Sequence, residues 1–198
     1  AGGNLPAIVE LASQGPGAVR ATIYGTFQSL IKTLLAVSVP TIAAIDGPAV
    51  GLGFDLALAC DQRVVGRLGW CRQGWAGIGL IPGTGGELLL RRLAPGLLWD
   101  MLAGDRTLRA DDLAAWQLAS SVDGTALEES VARGQRLGRL PRATLEGYVD
   151  LFRHELRDQL DAHLAQCLDL QVELICSDEF AERAASVLAR TNEEGRRA

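Results

Sequence analysis

The chain has 198 residues, of which 48% are hydrophobic and 22% charged, and a formal net charge of −5. That length and balance suit one globular unit with a full core, or one with a helical appendage. The acidic balance lacks the basic footprint of a nucleic-acid binder, and no apolar run reaches the ~18 residues of a membrane span.

Residues 5–15 read as a short helix and a loop. Residues 18–37, "AVRATIYGTFQSLIKTLLAV", put Ile23, Phe27, Leu30, Ile31, Leu34 and Leu35 at helical spacing, which predicts one amphipathic helix. Pro40 cannot continue it, and "TIAAI" predicts a buried strand over 41–46. A glycine turn and a helix over 51–60 follow, then a strand over 62–66. "GWCRQGWAGIGLIPGTGG" (69–86) is glycine-rich and predicts irregular structure. Helices are expected from near Gly86, over 96–104 and over 109–119, the last with Asp111 and Asp112 in its first turn. "SSV" reads as a short strand, and everything from 125 onward reads as helix. The expected organisation is an α/β part over 1–124 and a helical part over 125–198.

The four cysteines, Cys60, Cys71, Cys167 and Cys176, show no CxxC spacing. They read as reduced thiols, and with no signal peptide in view the expected location is the cytoplasm. His154 and His163 lack the i, i+4 spacing of a helical zinc pair, so no metal site is expected.

One stretch points to chemistry. In "DGPAVGLGFDLALACD" (46–61) an apolar strand runs into three glycines in seven residues and then into a helix carrying one acid. The first N–H groups of a helix have no intrahelical partner and the dipole favours negative charge there. Glycine lets a ligand approach the backbone closely. Such a turn can hold a bound phosphate or an oxyanion that forms during a reaction.

Taken in order, "AGGNL" (1–5), "VPTIAAIDGPAVGLGFDLALACDQRVV" (39–65), "GIGLIPGTGG" (77–86), "AGDRTLRADDLAAWQLASSV" (103–122) and "SDEFAERAASVLART" (177–191) resemble the crotonase superfamily, the enoyl-CoA hydratase/isomerase proteins. The resemblance covers almost the whole chain. It implies an α/β fold, a spiral of ββα turns, followed by helices that pack in a homotrimer or a dimer of trimers. Family members carry a further stretch before the "AGGNL"-type motif, so a longer parent chain is expected. The implied substrate is an acyl-CoA thioester, with no other cofactor, no nucleic-acid partner and no membrane.

The resemblance also assigns roles. Two backbone N–H groups, those of Gly3 and Leu52, would hold the thioester oxygen as it becomes an enolate, a task in which each donor is worth roughly 3–4 kcal/mol. Leu52 stands where the family usually has glycine. Gly2, Gly51, Gly53, Trp75, Ile81, Pro82 and Gly83 would line the substrate site. Asp55 matches the first of the two glutamates that hydratases use, one methylene shorter. The second falls at Trp75, which cannot exchange that proton at neutral pH. Gly83 stands where several isomerases carry an aspartate. Trp75 is similar in place to tryptophans of members that handle aromatic acyl groups, and reads as an acyl-pocket wall or a core residue. Pro6 replaces a lysine often found near the CoA, leaving Arg20, Lys32 and Arg72 as unselected phosphate partners. Glu87 reads as a cap or as a substitute acid. Two function classes follow: an enolate-stabilising enzyme with Asp55 as its single acid/base, doing isomerisation, hydration or decarboxylation, and a catalytically silent relative that binds acyl-CoA or a partner protein.

Overall fold

The computed structural model of the chain describes residues 3–197. Helix α1 (Leu5–Ala12) begins behind Asn4, whose side-chain oxygen accepts from the N–H of Ala7 at 3.3 Å. The long helix expected over 18–37 is interrupted. It consists of α2 (Pro16–Val19), a π-turn (Arg20–Tyr24) and α3 (Gly25–Ala36). The extra residue of a π-turn shifts the buried stripe. Val19 and Tyr24 thereby share one face with Gln28, Ile31 and Leu35, while Leu30 turns to solvent.

Strand β1 (Ile42–Ile45) follows the Pro40 break, and β2 (Pro48–Val50) follows Gly47 almost at once. Gly51 then turns the chain into α4 (Leu52–Ala59). The pattern repeats with β3 (Gln62–Val65), β4 (Trp70–Arg72), and α5 (Gly86–Leu93) with α6 (Leu97–Gly104). After β5 (Thr107–Arg109) and α7 (Ala110–Ala115), β6 (Ser120–Ser121) closes the strand set. One sheet has the order β1-β3-β6, all parallel; the other has β2-β4-β5, with β4 and β5 antiparallel. Each of the first two turns of the chain thus gives one strand to each sheet and then a helix, which is the ββα spiral the resemblance implied.

Beyond residue 125 the chain is helical, in three pieces: α8 (Ala126–Leu137), α9 (Arg142–Ile175) and α10 (Asp178–Arg197). Asp46, at the end of β1, accepts from the N–H groups of Ala126 and Leu127 and fixes the start of α8. Pro141 sets the start of α9, and the Ser177 hydroxyl accepts from the N–H of Phe180 at the start of α10.

Helix α9 is fastened to the α/β part by Arg153, only 1% exposed. Its guanidinium spans both oxygens of Asp61, at 2.8 and 2.5 Å. It also donates to the carbonyls of Leu35 and Val37, at 3.1 and 2.6 Å, closing the C-terminal end of α3. Burial pushes the Asp61 carboxyl up, but the hydrogen bonds from Arg153 and Thr41 outweigh it and hold the group below its usual range.

Two apolar clusters form the core. The larger joins α3, β1, α4, α5, α6 and α7 to Leu160 and Leu164 of α9. The smaller gathers Ile8, Val19, Tyr24, Trp75, Leu80, Val172, Ile175, Phe180 and Ala184. Trp75 belongs to the second cluster, and the site is built around it.

Candidate active site

The glycine turn between β2 and α4 has a backbone reason. Gly51 has φ +55° and ψ −117°, a conformation that a side chain disfavours. A Cβ there would also stand 3.3 Å from the Trp75 indole. The N–H of Gly51 continues the sheet by donating to the carbonyl of Arg72 at 3.1 Å. The next N–H, that of Leu52, opens α4 and donates no hydrogen bond among the described residues. The Leu52 side chain packs on the smaller apolar cluster, which is how leucine is accommodated where only its N–H is required.

Gly3, Val50, Gly51, Leu52, Arg72, Gly74 and Trp75 line one cavity of about 530 Å³, with Ile78, Asp105 and Arg190 at other walls. The two residues expected to supply oxyanion donors, far apart in sequence, therefore line the same cavity. Gly2 lies outside the described residues. Gly53 lines a different groove, beside Ala43, Leu56 and Pro48. Of the three candidate phosphate partners only Arg72 reaches this cavity. All three are ion-paired: Arg72 with Asp105, Arg20 with Asp169, and Lys32 with Asp161.

Asp55 sits in the first turn of α4 with no solvent exposure. Its Oδ2 accepts from Thr84 Oγ1 at 2.5 Å and from Trp75 Nε1 at 3.1 Å, while Oδ1 has no partner among the described residues. A Cβ on Gly86 would overlap Oδ1, so glycine at that place makes room for the carboxyl. Burial pushes its pKa from 3.8 up to about 7, against the two hydrogen bonds. Asp55 lines neither this cavity nor the one described next. The residue expected as the single acid/base is thus an interior carboxyl hydrogen-bonded to Trp75.

Trp75 also lines a second cavity, of about 480 Å³. Ile81 and Pro82 line it, with Leu80, Leu98, Leu102 and Leu170. Gly83 does not; it is buried under the Tyr24 ring, and its carbonyl accepts from Gln28 at 2.9 Å. Glu87, in the first turn of α5, pairs with Arg91 and lies 3.6 Å from Nε2 of His163. That nitrogen is also 3.3 Å from the Cys167 sulfur. Burial pushes the Cys167 thiol up to about 11, with Glu87 and Asp55 adding to it, so it is held as the thiol. All four cysteines are free thiols, and no cluster of metal-ligating side chains occurs among the described residues. No helix of the described residues is long and apolar enough to cross a membrane.

Two residues escaped the sequence reading. Thr84 was one residue of a glycine-rich turn and Arg153 one charge on an amphipathic helix. Neither carries a local signal, because each acquires its role from a partner distant in the chain.

Solved structures share this fold. An enoyl-CoA hydratase/isomerase from Mycobacterium paratuberculosis superposes with a TM-score of 0.86 at 22% identity, over 94% of this chain and 74% of that one. An enoyl-CoA hydratase from Bacillus halodurans gives 0.86 at 20%, over 94% and 76%. Residues 1–191 match the enoyl-CoA hydratase/isomerase family, and the chain belongs to it. A probable enoyl-CoA hydratase of Mycobacterium tuberculosis is 33% identical over 170 residues, 77% of this chain and 62% of that protein. A 4-chlorobenzoyl coenzyme A dehalogenase of an Arthrobacter species is 28% identical over 169 residues, 80% of this chain and 59% of its own length. The chain spans about three fifths of the length of these curated relatives.

Proposed function

We propose that the protein binds an acyl-CoA thioester with its carbonyl at the wall formed by Gly3 and Leu52, stabilises the enolate there, and moves a proton with Asp55. The observation that carries this reading is the shared cavity: Gly3, Gly51 and Leu52 line one space, and the Leu52 N–H opens a helix without a partner among the described residues. A preorganised donor at a helix start suits a carbonyl that becomes negative in the transition state. Relatives named for enoyl-CoA and chlorobenzoyl-CoA support a CoA ester as the substrate class. Trp75, a flat wall of the same cavity, suits a planar acyl group.

A carboxyl with a pKa of about 7 is poised to give or take a proton near neutrality. Neither cavity reaches Asp55, so its exchange with substrate requires a movement of the groups packed over it. With no second carboxylate at Trp75 or Gly83, a single-base proton shuttle fits better than a two-carboxylate addition of water. The seal over Asp55 also favours a second reading, a relative that binds acyl-CoA without turning it over. We further propose that the exposed apolar residues of α9, Tyr148, Leu151 and Phe152, form a subunit interface of a trimer.

Turnover of an enoyl-CoA panel, measured beside CoA-ester binding for the wild type and Asp55→Asn, separates the readings. The enzyme reading expects kcat to fall by about 10²–10⁴-fold in Asp55→Asn with binding retained. Binding without turnover in the wild type supports the silent relative, and no binding of any ester overturns both.

A further inference from the structure

The cavity of Gly3 and Leu52 carries an ion pair that the proposed chemistry does not use. Arg72 and Asp105 both line it, and both also line a smaller space of about 220 Å³ together with Met101, Leu102 and Arg106. The pair therefore stands where the two spaces adjoin. Arg72 ends β4 in register with Val50, and its carbonyl accepts from the N–H of Gly51 at 3.1 Å. Neighbouring strands lie about 4.8 Å apart. The guanidinium is thus rooted on the strand beside the turn that leads to the Leu52 N–H, and Val50, its register partner, lines the same cavity.

Asp105 engages only part of this guanidinium. Nε donates to Oδ1 at 2.9 Å, and Nη2 donates to Oδ2. A guanidinium carries five N–H groups. The pair uses two of them, and the other three donate no hydrogen bond among the described residues. The two side chains are 37% and 62% exposed, and an ion pair this exposed is too weak to exclude a competing anion. Among the described residues, the charged side chains lining the two spaces are Arg72, Arg106, Arg190 and Asp105. Arg106 is paired with Asp112, so three arginines stand against two carboxylates and the local balance is positive.

Such a place attracts an anion. A planar carboxylate meets the free edge of a guanidinium with charge-assisted hydrogen bonds. The phosphates of CoA are anions too, but the pantetheine arm holds them far from the thioester, whereas Arg72 stands beside the turn. A carboxylate on the acyl group, a few bonds from the thioester carbonyl, fits the position better. A carboxamide of the same shape offers one acceptor and sets its own N–H groups against those of Arg72.

We infer that the acyl group of the substrate carries a carboxylate, and that Arg72 binds it through the N–H groups that Asp105 leaves free. This rests on the reading that the thioester carbonyl sits at Leu52.

The test compares binding of glutaryl-CoA with that of the CoA ester whose terminal carboxylate is replaced by a carboxamide. The wild type should bind glutaryl-CoA more tightly, by a margin that narrows as salt is added. Arg72→Gln should weaken glutaryl-CoA by about 10-fold to 100-fold and leave the carboxamide ester unchanged. Arg72→Lys, which keeps the charge, should retain part of the preference. Equal binding of the two esters by the wild type overturns the inference whether or not the variants fold. An equal loss for both esters in Arg72→Gln overturns it as well. Repeating that measurement with the pantetheine thioesters, which lack the phosphates, then shows whether Arg72 holds a phosphate of CoA or only shapes the wall. Butanoyl-CoA separates this inference from the reading beneath it. If it binds while glutaryl-CoA shows no advantage, the inference alone falls; if no ester binds, both fall.

Discussion

The indole N–H of Trp75 donates to Oδ2 of Asp55 at 3.1 Å, tying a wall shared by two cavities to a carboxyl with no solvent exposure. Thr84 donates to the same oxygen and leaves Oδ1 without a partner among the described residues. The pair makes the position of Trp75 sensitive to the charge of Asp55, since both donors favour the ionised form while burial opposes it.

Stability should therefore depend on pH through Asp55. Its pKa is raised in the fold, to about 7 from 3.8. Its contribution is fully present below about pH 4, where it is protonated folded and unfolded, and is lost as pH rises through about 7. Asp55→Asn removes that loss. Denaturant unfolding at about pH 5 and about pH 8 should show the variant gaining on the wild type by on the order of a few kcal/mol at the higher pH. An advantage that does not change with pH would mean Asp55 ionises at its ordinary value.

Gly51 is the turn residue least open to replacement. With φ +55° and the indole 3.3 Å from a Cβ, Gly51→Ala should cost at least about 1 kcal/mol in thermal unfolding. It should also weaken CoA-ester binding, because Leu52 N–H and Trp75 are both positioned by this turn. Gly96→Ala, where nothing lies within 4 Å of an added Cβ, serves as the control.

Breaking the Arg153 clamp should be among the costlier single changes in the molecule. Arg153→Met leaves Asp61 without its bidentate partner and the carbonyl of Val37 without its donor, while that of Leu35 keeps only Arg157. Loss of about 3–5 kcal/mol in denaturant unfolding is expected. Arg153→Lys should recover only part, since an ammonium cannot span the carboxylate and two carbonyls at once. A loss below 1 kcal/mol, the range of exposed pairs, would show that α9 is held by its apolar contacts alone.

The outer face of α9 gives a prediction about assembly. Tyr148, Leu151 and Phe152 are 68%, 79% and 67% exposed in the single chain. Light scattering of the wild type should show an oligomer, and Leu151→Glu should shift it toward monomer while changing monomer stability by no more than ~0.5 kcal/mol. A monomeric wild type at micromolar concentration would count against the interface.

What the sequence determined by itself were the features written in neighbouring residues. "TIAAI" before a glycine turn and "FDLALAC" after it specify strand, turn and helix, because apolar runs, positive φ and helix starts are local matters. The order of five motifs carried the family. Strands β2, β4 and β5 stayed hidden. Each is three residues long, too short a run to announce a strand, and each exists because its partners supply hydrogen bonds from elsewhere. The helix expected over 18–37 contains a π-turn because the core needs Val19 and Tyr24 on one side, a demand made by α9 and α10 and not by residues 18–37. The surroundings of Asp55 were likewise a tertiary decision. Whether a carboxyl at a helix start meets water or is sealed depends on Trp75 and Thr84, 20 and 29 residues away. Desolvation is a property of everything packed around a group, so no reading of its neighbours in the chain could supply it.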